Sequence, residues 1–275
     1  MLLAIDVGNT DTKLGVFDES GAGTDALLVH WRVMTERRRT ADEFGTLFTE
    51  LFASANVPVA GVSAIAISSV VPQSDRSLRE ACTRYFRQDP AFFTAAGQNH
   101  MEIRTERPRE LGADLAASAI GARALHGAPL VVVGFGTATT FGAVAADGAY
   151  LGAAIAPGIQ LSIDALTAGT AKLPQVALEA PPHAIGRDTV AALQSGIVYG
   201  FVGQTEALVA RIRAELGGSA RVVATGGLAE IVARHTAAID AIEPHLVLEG
   251  LRLYHRGMAA APGPGQNALT RSGLR

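Results

Sequence analysis

The chain has 275 residues, 48% of them hydrophobic and 18% charged, with a formal net charge of −3. That length suits two domains of usual size or one large one, and the balance excludes a disordered chain and a general attraction to nucleic acid. The single cysteine, Cys82, excludes an intramolecular disulfide and a cysteine metal cluster.

Leu2 to Ile5 form a short apolar run that ends at Asp6. No basic region precedes it, so it does not read as a signal peptide. No uncharged apolar run reaches the ~18 residues of a membrane span. A cytoplasmic protein with no membrane partner is expected. After Asp6, the turn Gly8-Asn9-Thr10 and the apolar residues Leu14 to Phe17 predict a β-hairpin. A carboxylate at the end of a buried strand suits Mg²⁺, which takes oxygen ligands and keeps several waters. Gly8 lets the backbone approach a phosphate, and Asn9, Thr10, Thr12 and Lys13 add donors to an anion-binding concavity. The same pattern also suits an ordinary hairpin with a polar turn.

Arg37, Arg38 and Arg39 read as a solvated turn before a helix rather than a phosphate patch. Thr40-Ala41-Asp42-Glu43 has the spacing of a capping box, and Phe44, Leu47, Phe48, Leu51 and Phe52 recur at helical spacing. Val62 to Ile67 predict a strand ending in Ser68-Ser69, residues that either line a cleft or cap the next helix, over 74–87, where Cys82 is inert. Residues 90–108 read as irregular. Asp114 falls at the start of an Ala-rich helix to about Leu125, where the helix dipole favours a carboxylate; a plain capping acid is the other reading.

Leu130 to Val133, Gly134-Phe135-Gly136-Thr137-Ala138-Thr139-Thr140 and Phe141 to Ala145 repeat the opening pattern about 130 residues later. Two related half-molecules are expected, each beginning with a Gly/Thr hairpin. A strand over 149–158, a helix over 159–171, a Pro-rich connection over 172–189 and a helix over 190–215 follow. In the last of these, Ser195-Gly196 suggests close packing or a ligand's approach. Arg221 to Ala224 predict a strand entering Thr225-Gly226-Gly227-Leu228, a turn suited to a nucleotide or to an ordinary strand–helix junction. A last helix is expected over 249–257, and a disordered tail over 258–275. The P-loop and nucleophile-elbow motifs are absent, and the seven histidines show no metal spacing.

Two hairpins, a Gly-Gly turn and two placed aspartates suit phosphoryl transfer, which needs positioning, charge neutralisation and a base. Asp6-Val7-Gly8-Asn9-Thr10, Ile67 to Pro72, Gly112-Ala113-Asp114, Gly136 to Thr140, Ala154 to Gly158, Lys172-Leu173-Pro174 and Thr225 to Leu228, in this order, resemble the type III pantothenate kinases of the acetate and sugar kinase/Hsc70/actin superfamily. The resemblance implies an α/β fold of two ribonuclease H-like, actin-like domains with a cleft between them, over about 1–116 and 117–257. It implies ATP-dependent phosphorylation of pantothenate, the first step of coenzyme A synthesis, with Mg²⁺, a monovalent cation (K⁺ or NH₄⁺) and a homodimer. By position, Asp6, Val7, Gly8, Asn9, Thr10, Asp11, Thr12, Lys13 and Thr137 would bind ATP, with Asp6 also holding the metal. Thr105, Gly112, Ala113, Asp114, Leu115 and Thr189 would bind pantothenate, with Asp114 as proton acceptor.

Four positions depart from the family pattern. Gly134 stands where an Asp helps hold the monovalent cation, and Gly142 replaces a second Asp. Leu115 replaces an Arg beside the substrate, and Thr105-Glu106-Arg107-Pro108 replaces Tyr-Asp-Asn-Pro. A pantothenate kinase with altered cation dependence is the leading expectation. A weak or inactive nucleotide-binding paralogue with a regulatory role is the alternative, and a superfamily kinase for another substrate is a third.

Overall fold

The computed structural model describes residues 1–19, 26–170 and 173–260. Part of the first Gly-rich turn, Lys172 of the Lys-Leu-Pro motif and the tail from residue 261 lie outside the described residues.

The opening run forms β1 (Leu2–Val7), buried throughout, and pairs antiparallel with β2 (Asp11–Phe17). Next comes β3 (Leu27–Met34), antiparallel to β2, whose burial alternates residue by residue as one half-covered sheet face requires. The capping box forms as expected: Thr40 accepts from the Glu43 amide, and the Glu43 carboxylate accepts from the Thr40 amide, opening α1 (Ala41–Ser54). Then β4 (Ala64–Ser69) pairs parallel to β1. Ser69 accepts from the Val71 amide and donates to Asp75, so it organises the start of α2 (Pro72–Ala81). That helix ends in a π-turn over Cys82–Phe86. Cys82 is buried, and burial pushes its thiol up to about 12, consistent with an inert packing residue. Within the stretch expected to be irregular, Ala91–Phe92 forms β5, parallel to β4. Helix α3 (Ala113–His126) closes this unit.

The second unit repeats the first. β6 (Leu130–Phe135), β7 (Ala138–Val144) and β8 (Tyr150–Pro157) run antiparallel; α4 (Ile159–Ala168) and α5 (Thr189–Glu215) follow; β9 (Arg221–Thr225) and β10 (Ala241–Ile242) add in parallel. Strand orders are β3-β2-β1-β4-β5 and β8-β7-β6-β9-β10, one topology written twice. A short α6 (Ala229–Ala233) separates β9 from β10, and α7 (Leu246–Ala260) ends the described chain. Val247 and Leu248, read as a lead into the last helix, already lie inside it. The expected 116/117 division falls within α3.

Three apolar clusters define five layers. The outer face of the first sheet packs on α1 and α2 through Phe44, Phe48 and Phe52, spaced by four. The outer face of the second packs on α4, α5 and α6. The inner faces of both sheets share one helical layer made of α3 and α7. These two helices touch backbone to backbone. A Cβ on Gly250 would stand 2.0 Å from the Ala117 carbonyl oxygen, and one on Gly121 would stand 2.5 Å from that of Leu246.

On the outside, the Pro-rich connection is tied to α5. Gln194 donates to the Ala177 carbonyl, Ser195 to Ala184 and Tyr199 to Pro181, at 2.6–3.0 Å. Ser195 is therefore a fastening residue. Gly196 beside it is exposed with nothing within 4 Å of a built Cβ, so close packing within this chain does not account for it.

Gly250→Ala overpacks the α3–α7 contact against backbone, which cannot rotate away. It is expected to destabilise the protein by about 1–3 kcal/mol, read as a lower urea midpoint at unchanged m-value. A midpoint equal to wild type would show that the helices separate freely.

Candidate functional site

The two hairpin turns meet. In the first, the Gly8 amide donates to the Asp11 carbonyl at 2.9 Å, and a Cβ on Gly8 would also lie 2.9 Å from that oxygen. In the second, the Gly136 amide donates to the Ala138 carbonyl at 3.1 Å. The hydroxyls of Thr10 and Thr137 touch across the gap at 2.7 Å. Behind the second turn sit two glycines from the remaining motifs. Gly158 and Gly226 would each place a Cβ 2.3 Å from a turn carbonyl, those of Thr137 and Phe135, and Gly226 also has φ +98°. The Pro-Gly and Gly-Gly motifs are thus required by the close packing around this turn.

Between the turns opens a cleft of about 500 Å³. Thr10, Asp11 and Lys13 line one wall; Gly136, Thr137 and the Gly226–Leu228 turn line the other. Beneath it lies a charged floor. Asp6 is 4% exposed at the inner face of β1, with Lys13 Nζ 3.7 Å from its Oδ2 and no partner on Oδ1. Burial raises its carboxyl to about 6; the charge of Asp114 pushes the same way, and Lys13 opposes both. Asp114 lies in the first turn of α3, where Oδ1 accepts from the Leu115 amide at 2.9 Å. Burial raises its carboxyl too, against Lys13. One ammonium therefore serves two carboxylates. Gly112 caps α3 with no side chain, and a Cβ there would stand 2.6 Å from Asp114 Oδ1.

A buried carboxylate with one free oxygen beside an anion-binding turn fits Mg²⁺, which is commonly held by one or two carboxylates plus substrate phosphates. Among the described residues no cluster of three or more His, Cys, Asp or Glu forms a protein-only metal cage. A carboxylate with a raised pKa suits a general base better than an exposed one.

The other expected residues are scattered around this core. Val7 is buried in the outer core of the first unit. Thr12 is buried as well, its hydroxyl bonded to that of Thr35 at 2.8 Å, so that hydroxyl is engaged away from the cleft. The hairpin alternates, and only every second side chain can face the cleft. Asn9 is exposed, and Arg37 donates to it at 3.4 Å. Ala113 and Leu115 flank Asp114, half-buried, while Thr105 Oγ1 is buried without a partner. Thr189 stands exposed in the first turn of α5 and does not line the cleft. Gly134 faces Thr140, whose Oγ1 would lie 2.7 Å from a Cβ.

Arg32, His30 and His245 are among the cleft residues that the sequence reading does not single out. Arg32 bonds Asp11 at 2.5 Å and reaches toward Gly227. His30 and His245 approach with ring centroids 4.3 Å apart, and burial pushes the His245 imidazole down. His30 and Arg32 sit two apart on β3, a signal legible as strand alternation. His245 precedes α7 and carries no comparable mark.

The sequence profile of a family described as type III pantothenate kinase matches residues 2–211. A type III pantothenate kinase of Anaeromyxobacter sp. (strain K) is 49% identical over 255 residues, 93% of this chain and 98% of its own. That of Myxococcus xanthus (strain DK1622) is 48% identical with the same coverage. Among solved structures, the activator of the 2-hydroxyisocaproyl-CoA dehydratase from Clostridium difficile with bound ADPNP matches with a TM-score of 0.54 at 11% identity, over 95% of this chain and 98% of its own, a likeness of fold.

Asp6 titrates from 3.8 unfolded to about 6 folded, so the folded state binds the extra proton between these values. Stability from this group is highest below about pH 4 and falls by about 3 kcal/mol as pH rises through 6. Asp6→Asn is expected to be more stable than wild type by about 1–3 kcal/mol at pH 8 and equal to it at pH 4, although it loses turnover. Denaturation at the two pH values checks this. A second expectation concerns Tyr150, buried with no partner for Oη. Tyr150→Phe removes an unsatisfied hydroxyl and should leave stability within about 1 kcal/mol of wild type or raise it, measured by thermal melting.

Proposed function

The chain belongs to the type III pantothenate kinase family, and from that premise we propose that its cleft holds ATP with Mg²⁺ while Asp114 accepts the proton of the attacking pantothenate hydroxyl. The enzyme transfers the γ-phosphoryl group of ATP to pantothenate. The single observation that carries the site assignment is the Asp6–Lys13–Asp114 group, with Asp6 buried, beside two touching phosphate-type turns.

The β- and γ-phosphates lie along the Gly8–Thr10 and Gly136–Thr137 turns, whose amides and hydroxyls supply donors without side-chain bulk. Mg²⁺, when bound, neutralises charge on the transferring phosphoryl group, and Asp6 Oδ1 is the oxygen free to hold it through water. Lys13 offsets the repulsion between Asp6 and Asp114 and faces the phosphates from below. The pantothenate hydroxyl approaches from the Gly112–Leu115 side. Its oxygen bonds to the γ-phosphorus as the bridging oxygen leaves with ADP, and its proton passes to Asp114. Burial has already made that carboxylate a stronger base than an exposed one.

Thr189 finds its place in a homodimer. It lies between the exposed apolar side chains of Ile185 and Val190, and Leu151, Ile155, Leu161 and Leu166 add exposed apolar surface on β8 and α4. Such surface marks an interaction face, and pairing two copies there would let Thr189 of one protomer approach its partner's site. The enzyme acts in the cytoplasm, where ATP is supplied; no described helix is long and apolar enough to cross a membrane.

Asp114→Asn is expected to lower kcat by about 10²–10⁴-fold, with the KM for ATP little changed because the residue faces the acceptor. Steady-state ADP release with varied ATP and pantothenate reads both. Full turnover by the variant would remove Asp114 from the base role.

A further inference from the structure

The inner face of the second sheet carries an unusual patch beside the site. Gly134 and Gly142 share this face with Val132 and Val144, which pack into the shared helical layer. These are two positions at which the family resemblance implies carboxylates, the one at Gly134 helping to hold a monovalent cation. Neither offers an oxygen ligand from its side chain. A side chain at either position would need its neighbour to shift: a Cβ on Gly134 would stand 2.7 Å from Thr140 Oγ1, and one on Gly142 would stand 3.1 Å from Tyr150 Oη. Tyr150 is 1% exposed and its hydroxyl has no partner.

The main chain does not compensate. β6 pairs on both sides, with Gly134 opposite Thr140 in β7 and Thr225 in β9, so its carbonyl belongs to the sheet. The nearby carboxylates do not compensate either. Asp6 and Asp114 share a single lysine, and the proposed reaction uses one for Mg²⁺ and the other for the proton. A monovalent cation entering here would give up water for neutral hydroxyls alone, and burying a charge without a paired ligand set is strongly unfavourable.

The residues present therefore do not fit the cation, and we propose that phosphoryl transfer by this chain requires no monovalent cation, with the hydroxyls of Thr140 and Tyr150 filling the space of the missing cradle. This rests on the kinase reading above.

The test uses the full chain with MgATP and pantothenate. Initial rates of ADP formation are compared in K⁺, NH₄⁺ and tetramethylammonium chloride at equal ionic strength. Rates within about twofold of one another are expected. A saturable stimulation by K⁺ or NH₄⁺ of about tenfold or more over tetramethylammonium would overturn the proposal. Melting temperatures in the same three salts, with MgADP present, give a readout independent of turnover. Equal values are expected, because an ion that binds only the folded state would raise the melting point by mass action; a saturable rise specific to K⁺ or NH₄⁺ would overturn the proposal. Absence of turnover in every salt counts against the kinase reading, and the melting comparison then decides the cation question alone.

Discussion

The contact between α3 and α7 sets the geometry on which everything else depends. Both sheets rest their inner faces on this one helical layer, so the distance between the sheets is the thickness of that layer, whose two helices meet at Gly121 and Gly250. That thickness brings the tips of two hairpins, one from each sheet, to hydroxyl contact at Thr10 and Thr137. It also delivers the first turn of α3 to the same point, with Asp114 beneath the turns. Neither unit alone would contain a site. The Asp114 carboxylate comes on a helix against which both sheets rest, and the two touching turns come from opposite sheets.

The site is held together at a cost in stability. Asp6 is buried and Asp114 half-buried beside one lysine, Asp6 with an oxygen left unpaired. Burial raises both carboxyls, which means the folded state favours their protonation while the proposed chemistry needs them ionised. The fold tolerates this because three apolar clusters surround the floor. Asp6 Oδ1 and the hydroxyls of Ser68 and Thr105 are buried without a hydrogen-bond partner.

Much of the architecture was legible in the residues. The duplicated apolar–Gly/Thr–apolar pattern announced two related halves, and the Thr40–Glu43 spacing announced the start of α1, because both rest on local rules. The parts that were not legible depend on tertiary neighbours. Val7 and Thr12 belong to the hairpin motif, yet period-two alternation turns their side chains into the outer core. β3 was not separated from the apolar stretch preceding Trp31, although His30 and Arg32 line the cleft from it. β5 and β10 are two residues long and exist only as pairings to β4 and β9. The Ser195-Gly196 pair looked like a packing feature, whereas Ser195 ties down the Pro-rich connection and Gly196 touches nothing within 4 Å. The departures at Gly134 and Gly142 were visible as letters, but only the structure shows Thr140 and Tyr150 occupying their space.

The central claim is that this cleft transfers a phosphoryl group to pantothenate. The most direct measurement is ADP formation by the wild-type protein with MgATP, with and without pantothenate, alongside mass spectrometry of the acceptor. The account predicts ADP release that depends on pantothenate, matched one-for-one by a phosphorylated acceptor. ADP release that is indifferent to pantothenate, or absent while ATP still binds, would contradict it and leave a nucleotide-binding protein whose cleft serves another purpose.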